Sequence, residues 1–324
     1  MPRNSSMKIE LKAGPNDNGR RLDRILRKAL PEYSLSIIHK LLRKKKILVD
    51  GKPAGKDFRV QSGSVIVLSQ NADLSGTSKC RLPPKTAPVA PPPLPEILWR
   101  GAGIIVCNKK SGIATHGPDS LDEIVRAFLD GKLPQSLSFT PGPLHRLDKP
   151  VSGVVAFSET IDGARLFSQL LRENKIIKTY LAIVEGWIKN EAQWRDNVIR
   201  DTKIKKTFVA ESPQARHAVT FIKPVAHNGR HTLAEIKITT GRTHQIRAQA
   251  AAHGHPLAGD VKYGGSKLLD KSCKTGFFLH AHEIRFEEKS GDFPRRIAAP
   301  LPEAFRKIIQ DLGFFEKSFE KPLT

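Results

Sequence analysis

Pro83, Pro84, Pro88, Pro91, Pro92, Pro93 and Pro95 crowd into one short stretch and divide the chain. Proline has no amide hydrogen to give to a sheet ladder, its ring fixes φ, and a run of it favours extended polyproline geometry. Residues 71–96 therefore read as a semi-rigid linker, with a small unit at 19–70 before it and a larger body at 97–324 after it. At 324 residues the chain is long enough to bury a full core in more than one domain.

In the small unit Leu22, Ile25, Leu26, Ala29 and Leu30 recur at helical spacing and Pro31 closes the helix. Ser34 or Ser36 can cap a second helix with Ile37, Ile38, Leu41 and Leu42 on one face. Its other face and its end carry Lys40, Arg43, Lys44, Lys45 and Lys46, a cationic edge suited to phosphate. Ile47-Leu48-Val49 followed by Asp50-Gly51 predicts a hairpin, and Val65–Leu68 a closing strand. With Arg21-Leu22-Asp23, Ser34-x-Ser36 and Ile47–Lys52, the unit resembles the S-four-like RNA-binding domain, named after a small-subunit ribosomal protein. Leu35 departs from the Arg that the family often has between the serines.

Beyond the linker, strand-like segments (104–107, 154–157, 180–184, 219–222, 233–238) intersperse with helical ones (121–129, 164–173, 243–252, 303–312). They lack a regular βαβ rhythm, so the fold class is α+β, with a mixed, mostly antiparallel sheet flanked by helices. The Gly101-x-Gly103 pair does not complete a dinucleotide fingerprint, since Val106 stands at the third glycine position.

Lys plus Arg number 54 against 32 Asp plus Glu, a formal charge of +22. That balance points to a polyanionic partner. No apolar run approaches the roughly 20 residues that span a bilayer, so nucleic acid is favoured over a membrane. Cys80, Cys107 and Cys273 are odd in number and widely spaced, which suits a reducing cytoplasm and neither a disulfide framework nor a zinc site. His253-x-His255 and His280-x-His282 share a face only on a strand and no cysteine joins them, so no metal is expected.

Three segments of the body carry chemistry. His145-Arg146-Leu147-Asp148-Lys149 sets a carboxylate between cations and opens into the apolar run Val154–Phe157, the pattern of a site on the rim of a sheet. Lys178-Thr179-Tyr180 lies on a strand that sends Lys178 and Tyr180 to the same side. In Thr240–Arg247, Gly241 permits a tight turn, Thr243 can cap the helix that follows, and Arg247 comes one turn in.

Together these segments resemble the RluA-type pseudouridine synthases, the family that includes the RluC and RluD branches. His145-Arg146-Leu147-Asp148 with Ser152-Gly153, and Gly241-Arg242-Thr243-His244-Gln245-Ile246-Arg247, match two of the family's motifs. Gly254–Asp260 with Tyr263-Gly264 resembles the tail of the second. Val151 and Lys110 depart from the family's usual Thr and Pro.

The resemblance implies isomerisation of uridine to pseudouridine with no cofactor, most naturally in large-subunit ribosomal RNA, by a monomer. It also implies that Asp148 is the catalytic carboxylate, that Arg247 pairs with it, that Tyr180 stacks on the base and that Arg146 assists base flipping. Ile246 or a neighbour is expected to wall the pocket, and His145, Arg242, Arg43, Lys44, Lys45 and Lys46 to contact RNA. Transfer RNA stays possible as substrate within the family. A non-catalytic RNA-binding or ribosome-assembly factor, and a hydrolytic RNA N-glycosidase that releases free uracil, are the alternatives. Retention of Asp148 beside Tyr180 and Arg247 argues against the first.

Overall fold

The apolar stripe of residues 22–30 does fold as a helix, and its inner positions Leu22, Ile25 and Leu26 are fully buried. The computed structural model describes residues 8–69, 94–267, 276–287 and 293–314. The linker prolines other than Pro95, together with Cys80 and Cys273, lie outside the described residues.

The described chain divides into two units. The smaller carries β1 (Lys8–Lys12), β2 (Arg20–Arg21), α1 (Leu22–Ala29), α2 (Leu35–Arg43), β3 (Ile47–Val49), β4 (Lys52–Pro53), β5 (Arg59–Val60) and β6 (Val65–Ser69). Ser34 caps α2, its hydroxyl accepting the Ile37 amide at 3.4 Å. Asp50 and Gly51 both take positive φ in the turn between β3 and β4, as a two-residue hairpin requires. Four strands pair in the order β1-β6-β3-β4, and β2 pairs with β5.

Two boundaries differ from the expected 19–70. β1 runs antiparallel along the whole of β6, so the unit reaches back to residue 8. Leu129–Pro141 and Glu159–Asp162 also belong to it rather than to the body. The Asn16 side chain accepts the Ile161 amide at 3.0 Å. Residues 136–138 are held by Asp17, fully buried, whose carboxylate accepts bonds from the hydroxyls of Ser136 and Ser138, the Leu137 amide and the Gly14 amide. Burial alone would raise its pKa, but these donors outweigh it and hold the group below the ordinary value.

The larger unit contains β7 (Ile97–Gly101), β8 (Ile104–Lys109), α3 (Leu121–Leu129) except its last residue, β9 (Gly142–Pro143), β10 (Ser152–Ser158), α4 (Ile161–Arg172) from Gly163 onward, and β11 (Ile176–Glu185). β12 (Ala192–Asp201), β13 (Lys206–Val209), β14 (Arg216–His227), β15 (His231–Ile238), α5 (Gln245–Ala252), β16 (Leu279–Phe286), β17 (Arg296–Ala298) and α6 (Glu303–Asp311) follow. Nine strands lie in the order β13-β12-β14-β15-β11-β16-β10-β8-β7, with β17 on β16 and β9 on β10. Among the described strands only the β10–β16 pair is parallel, so the sheet is mixed and mostly antiparallel, as expected. The Gly101–Gly103 segment is the tight turn between β7 and β8, with Ala102 and Gly103 at positive φ.

Every residue of β10 is buried, as a central strand covered on both faces must be. One apolar cluster joins β8, β10, α4 and β16 through Ile104, Val154, Phe167 and Ile284. Another joins β11, β15 and α6 through Ile183, Leu233, Phe305 and Ile309. Asp148 lies just before β10, Tyr180 within β11 and Arg247 in α5, so one region of this sheet collects all three.

Candidate active site

The turn that carries Asp148 is laced to a neighbouring loop by hydrogen bonds from both sides. Leu147 gives its amide to the Thr115 hydroxyl at 3.1 Å and receives that hydroxyl's proton at its own carbonyl at 2.8 Å. The Lys149 carbonyl accepts the Gly112 amide and the Lys109 ammonium, and the Pro150 carbonyl accepts the Ser111 hydroxyl. Lys109 is fully buried, and its ammonium also donates to the carbonyls of Lys110 and Ile113. Burial lowers its pKa to about 8, although the Asp148 charge pulls the other way.

Gly153 then enters β10 at φ +113, where a Cβ would come within 2.0 Å of the Ala281 carbonyl oxygen. Only glycine fits where the two strands approach so closely. Ser152 beside it bonds Nδ1 of the buried His280 at 2.9 Å.

Tyr180 sits in β11 opposite Ala281, where β16 carries the extra residue His282 and the register slips. The ring is buried apart from the edge that lines the cleft. Burial, and then the Asp148 charge, push the phenol far above its usual range, so it stays protonated. Lys178, on the same strand, is also buried, and its Nζ lies near Gly241.

The turn into α5 departs from expectation. The helix starts at Gln245, and Thr243 does not cap it; its carbonyl instead accepts the Thr207 hydroxyl at 2.9 Å. The residue before the helix, His244, is left-handed at φ 53, a conformation non-glycine residues adopt rarely and often at functional sites. Gln245 holds this turn: its Oε1 accepts from Thr240 and from the Arg242 amide, while its Nε2 donates to Val219 and Thr220.

Arg247 faces Asp148 at 3.5 Å through Nη1, but its main partner is Asp260, bound through Nε at 2.6 Å and Nη2 at 2.8 Å. Its guanidinium also lies 4.7 Å from the Tyr263 ring centroid and 4.5 Å from that of Phe277. Burial works against the charge, yet the bonds it donates to Asp260 and that carboxylate's charge outweigh it and raise the pKa. The expected Arg247–Asp148 contact exists, as a long one made by an arginine already fixed elsewhere.

Asp148, Tyr180, Arg247, Arg146, Arg242 and Ile246 line one cleft, with His244, Gln245, Val151, Ile238, Leu147 and Leu279. Ile246 gives it the expected apolar wall. Arg146 is exposed and makes no hydrogen bond or ion pair among the described residues, whereas Arg242 donates from Nε to the His217 carbonyl at 3.2 Å.

His145 is not placed for RNA. Its Nε2 accepts the Ala156 amide at 3.1 Å and its ring stacks on Phe167, so burial takes its pKa down to about 3. A residue at the start of a rim motif can still turn into the core, and here a β10 amide claims it.

Arg43, Lys44 and Lys45 are exposed at the end of α2 and Lys46 is half-buried, all within the smaller unit. His253 pairs with Asp196, and His255 with the Glu185 carbonyl. Among the described residues no three His, Cys, Asp or Glu side chains gather as metal ligands.

The sequence did not single out Asp260, Tyr263, His244 or Lys109 for a role. The first two lie in the motif tail from Gly254 to Gly264, and their signal was the buried arginine, which needs a carboxylate. Lys109 ends an apolar strand, and a lysine there signals a cation that must be satisfied by the next loop.

The family model "RNA pseudouridylate synthase" matches residues 103–252, and the "S4 domain" model matches 20–66. "Ribosomal large subunit pseudouridine synthase C" of Haemophilus ducreyi is 30% identical, over 92% of this chain and 93% of that protein. "Ribosomal large subunit pseudouridine synthase D" of Escherichia coli O6:H1 is 28% identical, over 94% of this chain and 95% of its own length. Among solved structures, "Human RNA Pseudouridylate Synthase Domain Containing 4" shares the fold, with a TM-score of 0.55 at 20% identity over 67% of this chain and 92% of that one. A catalytic sheet of this kind, a small RNA-binding unit and near full-length similarity to ribosomal pseudouridine synthases together place the chain in the RNA pseudouridylate synthase family: it is an RNA pseudouridine synthase.

Proposed function

We propose that this isomerase acts on uridines of large-subunit ribosomal RNA, with Asp148 as its catalytic carboxylate. The observation that carries the reading is convergence: Asp148, Tyr180, Ile246 and Arg247, from three separate parts of the sequence, line one cleft. The substrate class is supported by similarity to large-subunit synthases and by the charge of +22.

The bond between nitrogen 1 of uracil and carbon 1 of the ribose breaks, the base turns, and carbon 5 bonds to that same carbon while its proton leaves and a proton returns to nitrogen. No atom or electron is gained or lost, so the reaction as written needs no redox partner. Asp148 serves either as nucleophile at carbon 1 or as base toward the 2′ position. Arg247 faces the carboxylate, Tyr180 offers a neutral ring to the base, and Ile246 closes the apolar wall.

The nucleotide must leave its stack before it can enter such a cleft, at a cost of a few kcal/mol. Arg146, exposed at the cleft and without a protein partner among the described residues, is suited to fill the vacated place. Arg43, Lys44, Lys45 and Lys46 supply phosphate contacts from the smaller unit, and Arg242 from the cleft. The enzyme acts as a monomer in this reading. The site of action is the cytoplasm, where the ribosomal RNA of the bacterial relatives is made.

The test is turnover of an unmodified large-subunit rRNA transcript, with pseudouridines mapped by carbodiimide adducts. Wild type is expected to modify discrete uridines, and Asp148→Asn to bind the transcript normally and modify none. Full activity of Asp148→Asn, or no modified uridine with the wild type, would overturn the reading.

A further inference from the structure

His244 sits beside Asp148, and its two neighbours dictate which of its nitrogens carries hydrogen. The Thr207 amide donates to the Tyr263 oxygen at 2.8 Å, and the Tyr263 oxygen lies 2.8 Å from His244 Nδ1. Nε2 faces the Asp148 carboxylate, which only accepts, so Nε2 carries the ring's hydrogen and the phenol's own hydrogen goes to Nδ1. Nδ1 is then an acceptor, and the neutral ring carries its proton on Nε2.

Nε2 points at Asp148 Oδ2, 3.5 Å away. Arg247 Nη1 approaches the same oxygen, also at 3.5 Å. Both contacts are at the outer edge of hydrogen-bonding distance, as catalytic contacts without substrate often are. Among the described residues no donor reaches Oδ1. Burial lowers the His244 pKa to about 4 despite the Asp148 charge, with Arg247, Arg200 and Lys262 adding to the effect, so the ring stays a neutral donor at neutral pH.

We infer that His244 is a positioning residue which, with Arg247, holds Asp148 by Oδ2 and leaves Oδ1 as the oxygen presented to the ribose. The left-handed backbone of His244 places its ring between Tyr263 and the carboxylate. The inference rests on Asp148 being the catalytic carboxylate.

Two substitutions separate the donor from the acceptor. In His244→Gln the side-chain amide nitrogen reaches about as far as Nε2 and can still donate to Asp148, but nothing remains to accept from Tyr263. In His244→Asn the amide oxygen stands near Nδ1 and can still accept from Tyr263, but nothing reaches Asp148. Asn also tolerates the left-handed conformation better than Gln, so a purely structural role predicts Asn to be the milder change.

The readout is single-turnover release of tritium from carbon 5 of uridine in the rRNA transcript, with affinity measured by filter binding. His244→Asn is expected to slow release by about 100-fold, the order of loss that follows misplacement of a reacting group. His244→Gln is expected to stay within a few-fold of wild type, and both to bind RNA as wild type does. If His244→Asn is as fast as His244→Gln or faster, the inference is overturned. Asp148→Asn run alongside separates the two claims. Normal turnover of that variant sinks the catalytic reading, whereas its inactivity with equal rates for the two His244 variants sinks only this inference.

Discussion

Arg247 is gripped at two atoms by Asp260, at 2.6 and 2.8 Å, and only faces Asp148, at 3.5 Å. The division of labour is electrostatic. A guanidinium satisfied by one carboxylate, and flanked by Tyr263 and Phe277, keeps its position without drawing the second carboxylate into a closed ion pair. Asp148 stays within the field of a cation yet able to meet substrate.

Asp260→Asn is therefore expected to harm both stability and chemistry. It removes the charge that satisfies a buried arginine, and breaking such a pair costs about 3–5 kcal/mol. Arg247 would then move toward Asp148 and close on it. Denaturant unfolding and tritium release check the two effects separately; a variant with wild-type midpoint and wild-type rate would show that Asp260 does not hold the arginine.

Tyr180→Phe and Tyr180→Ala are expected to diverge in binding. The phenol is held protonated by burial and by Asp148, so its role toward the base is that of a ring. Phe keeps that ring; Ala removes a stacking partner worth about 1–3 kcal/mol per base. Binding of an rRNA fragment whose target base is already unpaired tests this, and equal loss of affinity in both variants would contradict it.

Stability is expected to fall as pH drops from about 6.5 toward 4. Burial lowers the pKa of His280 and His244 to about 4 and that of His145 to about 3. Between those values and the ordinary 6.5 the unfolded chain binds more protons than the folded one, so acid favours unfolding. The contribution is fully present above 6.5 and lost progressively below it. For each ring, a tenfold difference in proton affinity between the folded and unfolded chain is worth about 1.4 kcal/mol. A urea midpoint that stays constant or rises from pH 6.5 to 5 would rule it out.

Helices were the most legible elements in the sequence because their apolar stripes are long. Leu121–Leu129 matches residue for residue, and the helix expected at 303–312 ends one residue early. Strands such as β12 were not visible. Its buried residues Trp194 and Val198 stand four apart, a spacing that mimics a helix. β16 hides for another reason, since it buries His280 and Glu283 among its apolar residues and breaks any clean alternation.

By itself the sequence placed a carboxylate ahead of a buried strand, an aromatic ring on another strand and an arginine one turn into a helix, and put a run of cations at the end of a helix in the small unit. Periodicity and turn residues report that much, because they show which side of an element is buried. That the three would meet was implied only by the resemblance to the RluA-type synthases. Tertiary structure alone decided which groups satisfy one another. Asp260 takes the arginine, Tyr263 bonds His244, a β10 amide claims His145, and Asp17 draws residues 136–138 into the smaller unit. Such pairings depend on where distant strands cross, and a buried charge or imidazole takes whichever partner the fold brings within reach.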